Sequence, residues 1–130
     1  MIDHVSVAVR DLAKAEPFYA ALLAPLGMRK LREWPDAAVG FGKKYPEFWI
    51  NRRAAMTRVA QDCGAHICLR AIDTRAVEDF HAAALKAGGT SDGAPGPRTK
   101  YHSGYYAAFV RDPDGNRIES VTFLREAESK

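Results

Sequence analysis

The chain repeats itself. Sliding the 130-residue sequence along itself by 62 positions gives a gapless match: His4 falls on His66, Asp11 on Asp73, Glu16 on Glu78 and Phe18 on Phe80. Ala20 and Ala21 fall on Ala82 and Ala83, Leu23 on Leu85, Gly27 on Gly89, and Val5 and Val7 on Ile67 and Leu69. Two copies are too few for a solenoid, so the repeat predicts two modules paired about a pseudo-twofold axis. A chain of this length holds one core, so we expect a single domain over residues 1–130, made of modules 1–58 and 63–125.

Each copy opens with a strand. Alternate side chains of a strand point to opposite faces. Val5, Val7 and Val9 therefore share one face, and His4, Ser6 and Ala8 the other. In the second copy Ile67 and Leu69 oppose His66, Cys68 and Arg70. A helix follows in each, capped by Asp11 and by Asp73 or Thr74, with Phe18, Tyr19, Leu22, Leu23 and Leu26 in one apolar stripe and Val77, Phe80, Ala84 and Leu85 in the other. These stripes should cover the apolar faces of the opening strands. Gly27 and Gly88-Gly89 mark the helix ends. Pro17 predicts that the first helix starts late or is distorted in its first turns.

Three shorter strands should close each copy: Arg29–Trp34, Ala38–Lys43 and Phe48–Arg52, then a weak strand near Thr90, Tyr105–Arg111 and Asn116–Phe123. Asp112-Pro113-Asp114-Gly115-Asn116 is a strong hairpin signal, with proline presetting φ and glycine taking the positive-φ position. Ser91–Gly104, rich in Gly and Pro, reads as a loop. The expected fold is α+β: paired βαβββ modules forming a cupped mixed sheet around a central cleft, with helices on the outside.

Composition narrows the function classes. The net charge of +3 is small and the basic residues are scattered, so no nucleic-acid partner is expected. No stretch approaches the ~20 apolar residues of a membrane span, and the N-terminus lacks the basic and apolar regions of a signal peptide. Cys63 and Cys68 fit no CxxC spacing, which points to a reduced, cytoplasmic setting. On a strand, Cys68 is expected to be a small buried residue rather than a reactive thiol.

The chemistry-bearing set follows from the repeat. His4 and His66 begin equivalent strands, and a pseudo-twofold axis brings such positions together. On the last strand Arg117, Glu119, Val121 and Phe123 share a face. A carboxylate inside a strand is costly unless something uses it, and two imidazoles with one carboxylate form a facial triad that leaves coordination positions open. His4, His66 and Glu119 are therefore the expected ligands of one divalent ion, with Fe(II), Mn, Ni and Zn all suited to that set. The competing reading keeps each as an ordinary polar strand residue. Arg70 either grips an anionic substrate group or makes a structural ion pair. Ser6 either hydrogen-bonds substrate or is simply small enough to fit. Tyr101, His102 and Tyr105 form either a substrate lid or an aromatic loop anchor. Trp49 and Asn51 have the parity to face the cleft from the first copy's last strand.

The residues Asp3-His4-Val5-Ser6-Val7-Ala8-Val9, Asp11-Leu12, Phe18-Tyr19, Gly64-Ala65-His66-Ile67 and Asp112-Pro113-Asp114-Gly115-Asn116-Arg117-Ile118-Glu119 resemble the vicinal oxygen chelate superfamily of glyoxalases, bleomycin-resistance proteins, fosfomycin-resistance transferases and extradiol dioxygenases. The resemblance spans nearly the whole chain. It implies ligands from the first and last strands of each module, matching His4, His66 and Glu119. A fourth position falls at Trp49 or Asn51, where glyoxalase I-like members carry a carboxylate or similar ligand, and this departure counts against that activity. The resemblance implies a small-molecule substrate, Lewis-acid catalysis (lyase, isomerase, thiol transferase or dioxygenase) and a possible homodimer. Its alternative is a metal-free drug-binding protein of the bleomycin-resistance type.

Overall fold

The structure, a computed structural model, describes residues 1–125. The last five residues of the expected domain, 126–130, lie outside the described residues. The first module runs β1 (Val5–Val9), α1 (Leu12–Leu23), a 3-10 turn (Ala24–Leu26), β2 (Arg29–Trp34), β3 (Ala38–Gly42) and β4 (Phe48–Arg52). The second runs β5 (Ile67–Arg70), α2 (Thr74–Lys86), β6 (Thr90–Pro97), β7 (Tyr105–Arg111) and β8 (Arg117–Phe123). Two separate four-stranded sheets result, with the orders β1-β4-β3-β2 and β5-β8-β7-β6. The first strand of each copy pairs in parallel with its last, and the remaining pairs are antiparallel. This is the α+β, twice-βαβββ architecture that the repeat predicts. The sheets do not close on one another, so β1 and β5 remain edge strands.

Strand parity sorts the molecule into a core side and a site side. Val9, Val39, Phe41, Phe48 and Ile50 of the first sheet join Ala108, Val110 and Ile118 of the second in one buried cluster with Phe18, Tyr19, Leu22, Leu23, Val77 and Phe80 of the helices. The helices lie on this side and contact each other. The alternate residues Ser6, Trp49, Cys68, Phe109 and Glu119 face away from it. Asp11 and Asp73 accept N–H bonds from Lys14 and Ala76 as helix caps. The Asp11 cap starts α1 at Leu12, so Pro17 sits inside a continuous helix rather than delaying its start.

The Asp112–Asn116 hairpin does more than turn the chain. Gly115 takes φ +90°, and its N–H donates to the Asp112 carbonyl at 2.9 Å. The buried Asp112 carboxylate accepts from the Asp114 and Asn116 N–H groups at 2.9 and 2.8 Å, from Asn116 Nδ2 at 2.8 Å and from Tyr19 Oη at 2.5 Å. Asn116 Nδ2 also donates to the Ala8 carbonyl at 2.8 Å, and Arg10 Nε to Asp114 Oδ1 at 2.6 Å. The turn of the second module is thereby bolted to the helix and first strand of the first. Burial pushes both the Asp112 carboxyl and the Tyr19 phenol up from their usual values.

The segment read as a loop is partly a strand. β6 covers Thr90–Pro97 with register shifts between Ser91 and Gly93 and between Gly93 and Gly96. It lies at the sheet edge, where proline costs no ladder bond and bulges are common.

Candidate active site

Glu119 stands at the centre of the second sheet's site face. It is 2% exposed. β8 is flanked by β5 and β7, and Glu119 registers with Cys68 on one side and Phe109 on the other. His66 Nε2 lies 3.0 Å from Glu119 Oε1, and Tyr105 Oη donates to Oε2. An open cleft of about 360 Å³ covers this pair, lined by His66, Asp92, Tyr101, Tyr105, Phe109, Arg117, Ile118 and Glu119. The guanidinium in that cleft is already committed: Arg117 Nε donates to Asp92 Oδ2 at 3.0 Å and its Nη1 to the Cys63 carbonyl at 2.9 Å. The buried carboxylate of Glu119 thus has a histidine and a tyrosine, rather than an arginine, as its side-chain partners.

Electrostatics around Glu119 hold its neighbours protonated. Desolvation first, then the hydrogen bond and charge of Glu119, raise the Tyr105 phenol well above its usual value. Cys68 lies on β5 facing the site with part of its surface in solvent, so it is not the buried residue its small size suggested. Desolvation of the thiol and then the Glu119 carboxylate push it up to about 12, leaving it a neutral thiol.

His4 is placed differently. Within one chain it does not join His66 and Glu119, and among the described residues no group of three or more His, Cys, Asp or Glu is close enough to hold a metal ion. Exposed at the foot of β1, His4 has its Nδ1 2.6 Å from Asp3 Oδ1. Asp3 in turn accepts from Tyr45 Oη at 2.9 Å. A carboxylate can only accept, so Nδ1 is the donor in this bond and Nε2 is the nitrogen not engaged by Asp3. Ser6 accepts from Asn51 Nδ2 at 2.6 Å, and Asn51 also donates to the Val7 carbonyl at 3.1 Å. Ser6 lines a second groove of about 500 Å³ between β1 and β5, with Val5, Ala8, Cys63, Ala65, His66 and Asn116.

The remaining expected residues divide between the two sheets. On the first, the Trp49 ring lies against Gly40, where a Cβ would come within 2.9 Å of it, and Trp34 stacks on Trp49 at 5.3 Å. On the second, Tyr101 and Tyr105 line the cleft and meet edge-on at 5.2 Å. His102 and Arg70 do not line it. Both gather on Phe123, His102 edge-on at 5.8 Å and the Arg70 guanidinium at 4.7 Å above the ring. Phe123 meets Tyr105 at 5.3 Å. Asp92 and Phe109 were not singled out by the sequence. Phe109 could have been found from its alternation with Tyr105, whereas Asp92 lay hidden in the segment read as a loop.

His66 Nε2 and the buried Glu119 Oε1, 3.0 Å apart, are donors of the type that would hold a divalent ion.

Comparison with known proteins agrees with this layout. The model of the Glyoxalase/Bleomycin resistance protein/Dioxygenase superfamily matches residues 1–120. A "Probable lactoylglutathione lyase" of Synechocystis sp. is 32% identical over 129 residues, covering 91% of this chain and 92% of that protein. The crystal structure of a glyoxalase/bleomycin resistance protein from Albidiferax ferrireducens superposes with TM-score 0.78 at 29% identity, covering 92% of this chain and 96% of that one. A fosfomycin resistance protein from Listeria monocytogenes, complexed with Mn(II) and dihydroxypropylphosphonic acid, shares the fold with TM-score 0.70 at 15% identity, covering 100% and 95%. The chain belongs to the Glyoxalase/Bleomycin resistance protein/Dioxygenase superfamily.

Proposed function

We propose that the protein is a metal-dependent enzyme acting on a small oxygenated molecule, with the ion held by His66 and Glu119 of one chain and His4 of the partner subunit. The observation that carries this reading is the buried Glu119 carboxylate, flanked by His66 and Tyr105 at the floor of an open cleft. A buried charge without a full counter-charge costs several kcal/mol, and a divalent ion removes that cost. A second copy supplies the missing ligand because His4 is exposed, oriented by Asp3, and placed just before the edge strand β1. The Mn(II) bound by the Listeria relative of like fold supports the same reading.

When bound, the ion supplies Lewis-acid polarisation of adjacent substrate oxygens. The chain's own residues do the rest. Tyr105 holds Oε2 of Glu119 and leaves Oε1 turned toward His66. Asp3 fixes the ring of His4. Tyr101, Tyr105 and Phe109 wall the cleft with rings that exclude water from a bound substrate. Elemental analysis of protein dialysed against Mn, Fe(II), Ni or Zn should find about one ion per chain. His66→Ala and Glu119→Gln should each lose it. Stoichiometric metal retained in both variants would contradict the assignment.

A second reading rests on the first sheet. Trp34 is exposed and stacks on Trp49 over a floor of Gly40, a shelf suited to a flat apolar ligand without metal chemistry. Ligand-induced thermal stabilisation indifferent to a chelator would favour that drug-binding role.

A further inference from the structure

We infer that Arg70 is an anion-gripping arm, so that the substrate carries a carboxylate or phosphoryl group beyond the oxygens held at His66 and Glu119; the inference rests on that site being where the ligand binds. Arg70 lies on the site face of β5, two residues beyond Cys68, and registers with Val121 as Cys68 does with Glu119. Strand rise places it about 7 Å further along the same face. Its guanidinium sits 4.7 Å over Phe123, an exposed ring that also takes the edge of His102. Phe123 touches Tyr105, and Tyr105 bonds Glu119, so Arg70 and the carboxylate belong to one continuous surface.

That guanidinium has no carboxylate partner among the ion pairs of the described residues, whereas Arg10, Arg75, Arg111 and Arg117 each have one. Held over the Phe123 ring, the fork has no carboxylate on its N–H groups among the described residues, the state in which arginine binds oxyanions bidentately. Neighbouring charge agrees. Arg98 lies over Phe109 and Lys100 over Tyr101, while the acids facing the cleft are Glu119, buried, and Asp92, bonded to both Arg111 and Arg117. The surplus around the cleft mouth is cationic.

The test uses three probes sharing a 2-hydroxy-carboxylate head: lactate, without a second anion; malate, with a second carboxylate; and 3-phosphoglycerate, with a phosphate. Binding is measured calorimetrically on the full chain, with Mn(II) and again with a chelator. The arm predicts that malate or 3-phosphoglycerate binds about 10- to 100-fold tighter than lactate. Arg70→Gln should erase the preference while leaving lactate binding unchanged, and Arg70→Lys should restore part of it. Whichever of the two probes gains more identifies a planar or a tetrahedral oxyanion. A wild-type protein that binds neither, or shows no preference over lactate, overturns the inference, as does a preference that survives Arg70→Gln. A preference that depends on Arg70 but ignores the chelator upholds the arm and overturns the metal assignment. Chelator-sensitive binding of all three probes with equal affinity does the reverse.

Discussion

Tyr19 and Asp112 come from opposite copies of the repeat, yet the hydroxyl of one ends on the carboxylate of the other at 2.5 Å in the core. Removing that hydroxyl leaves a buried carboxylate with one donor fewer, so Tyr19→Phe should cost about 1–3 kcal/mol in denaturant melts at neutral pH. The pH dependence has a definite sign. The phenol's folded value lies well above the ordinary 10.0, so its contribution is fully present below that pH. It is lost as pH rises further, where only the unfolded chain gives up the proton. Wild-type stability should therefore fall more steeply than that of Tyr19→Phe above about pH 10. Ser120 offers the opposite case: its Oγ is buried without a hydrogen-bond partner among the described residues. Ser120→Ala should be neutral or stabilising by about 1 kcal/mol in the same melts. The sequence marked Tyr19 as one of a helical stripe and Asp112 as a turn residue. Their bond depends on how two modules dock, which strand and helix periodicity does not encode.

At the scale of elements, local chemistry was a good guide wherever it was strong. The bounds expected for β2, β4 and β7 are the observed ones, and the capping aspartates set both helix starts. β6 escaped because Thr90–Pro97 carries Gly and Pro that an interior strand would reject. Only its position at the sheet edge makes it a strand, and edges are assigned by topology. The first sheet's site face is built on small residues: Ala38, Gly40 and Gly42 alternate along β3, and Gly40 lies against the Trp49 ring. Gly40→Ala should force that ring off its seat and cost about 1–3 kcal/mol. The change should be visible as altered tryptophan fluorescence together with a lowered melting temperature.

For the whole molecule, duplication predicted two like modules, and two like sheets are present. It also suggested that symmetry brings His4 to His66. The structure pairs His66 with Glu119 and leaves His4 across the chain's open edges, held by Asp3. Sequence parity placed Glu119 on the correct face because strand alternation is local. Whether a symmetry partner lies in the same chain or in a second copy is decided by edge pairing between molecules, which a repeat offset does not carry.

The proposed metal centre is divided between two copies of the chain, and subunit mixing tests it. His4→Ala and Glu119→Gln chains, each prepared alone, should bind no ion. Unfolded, mixed in equal amounts and refolded together, they form hybrids in which His4 of the Glu119→Gln chain meets the intact His66 and Glu119 of the other. Those hybrids should recover one ion per dimer. A mixture as empty as its parents would contradict the divided centre, as would a monomer that binds the ion.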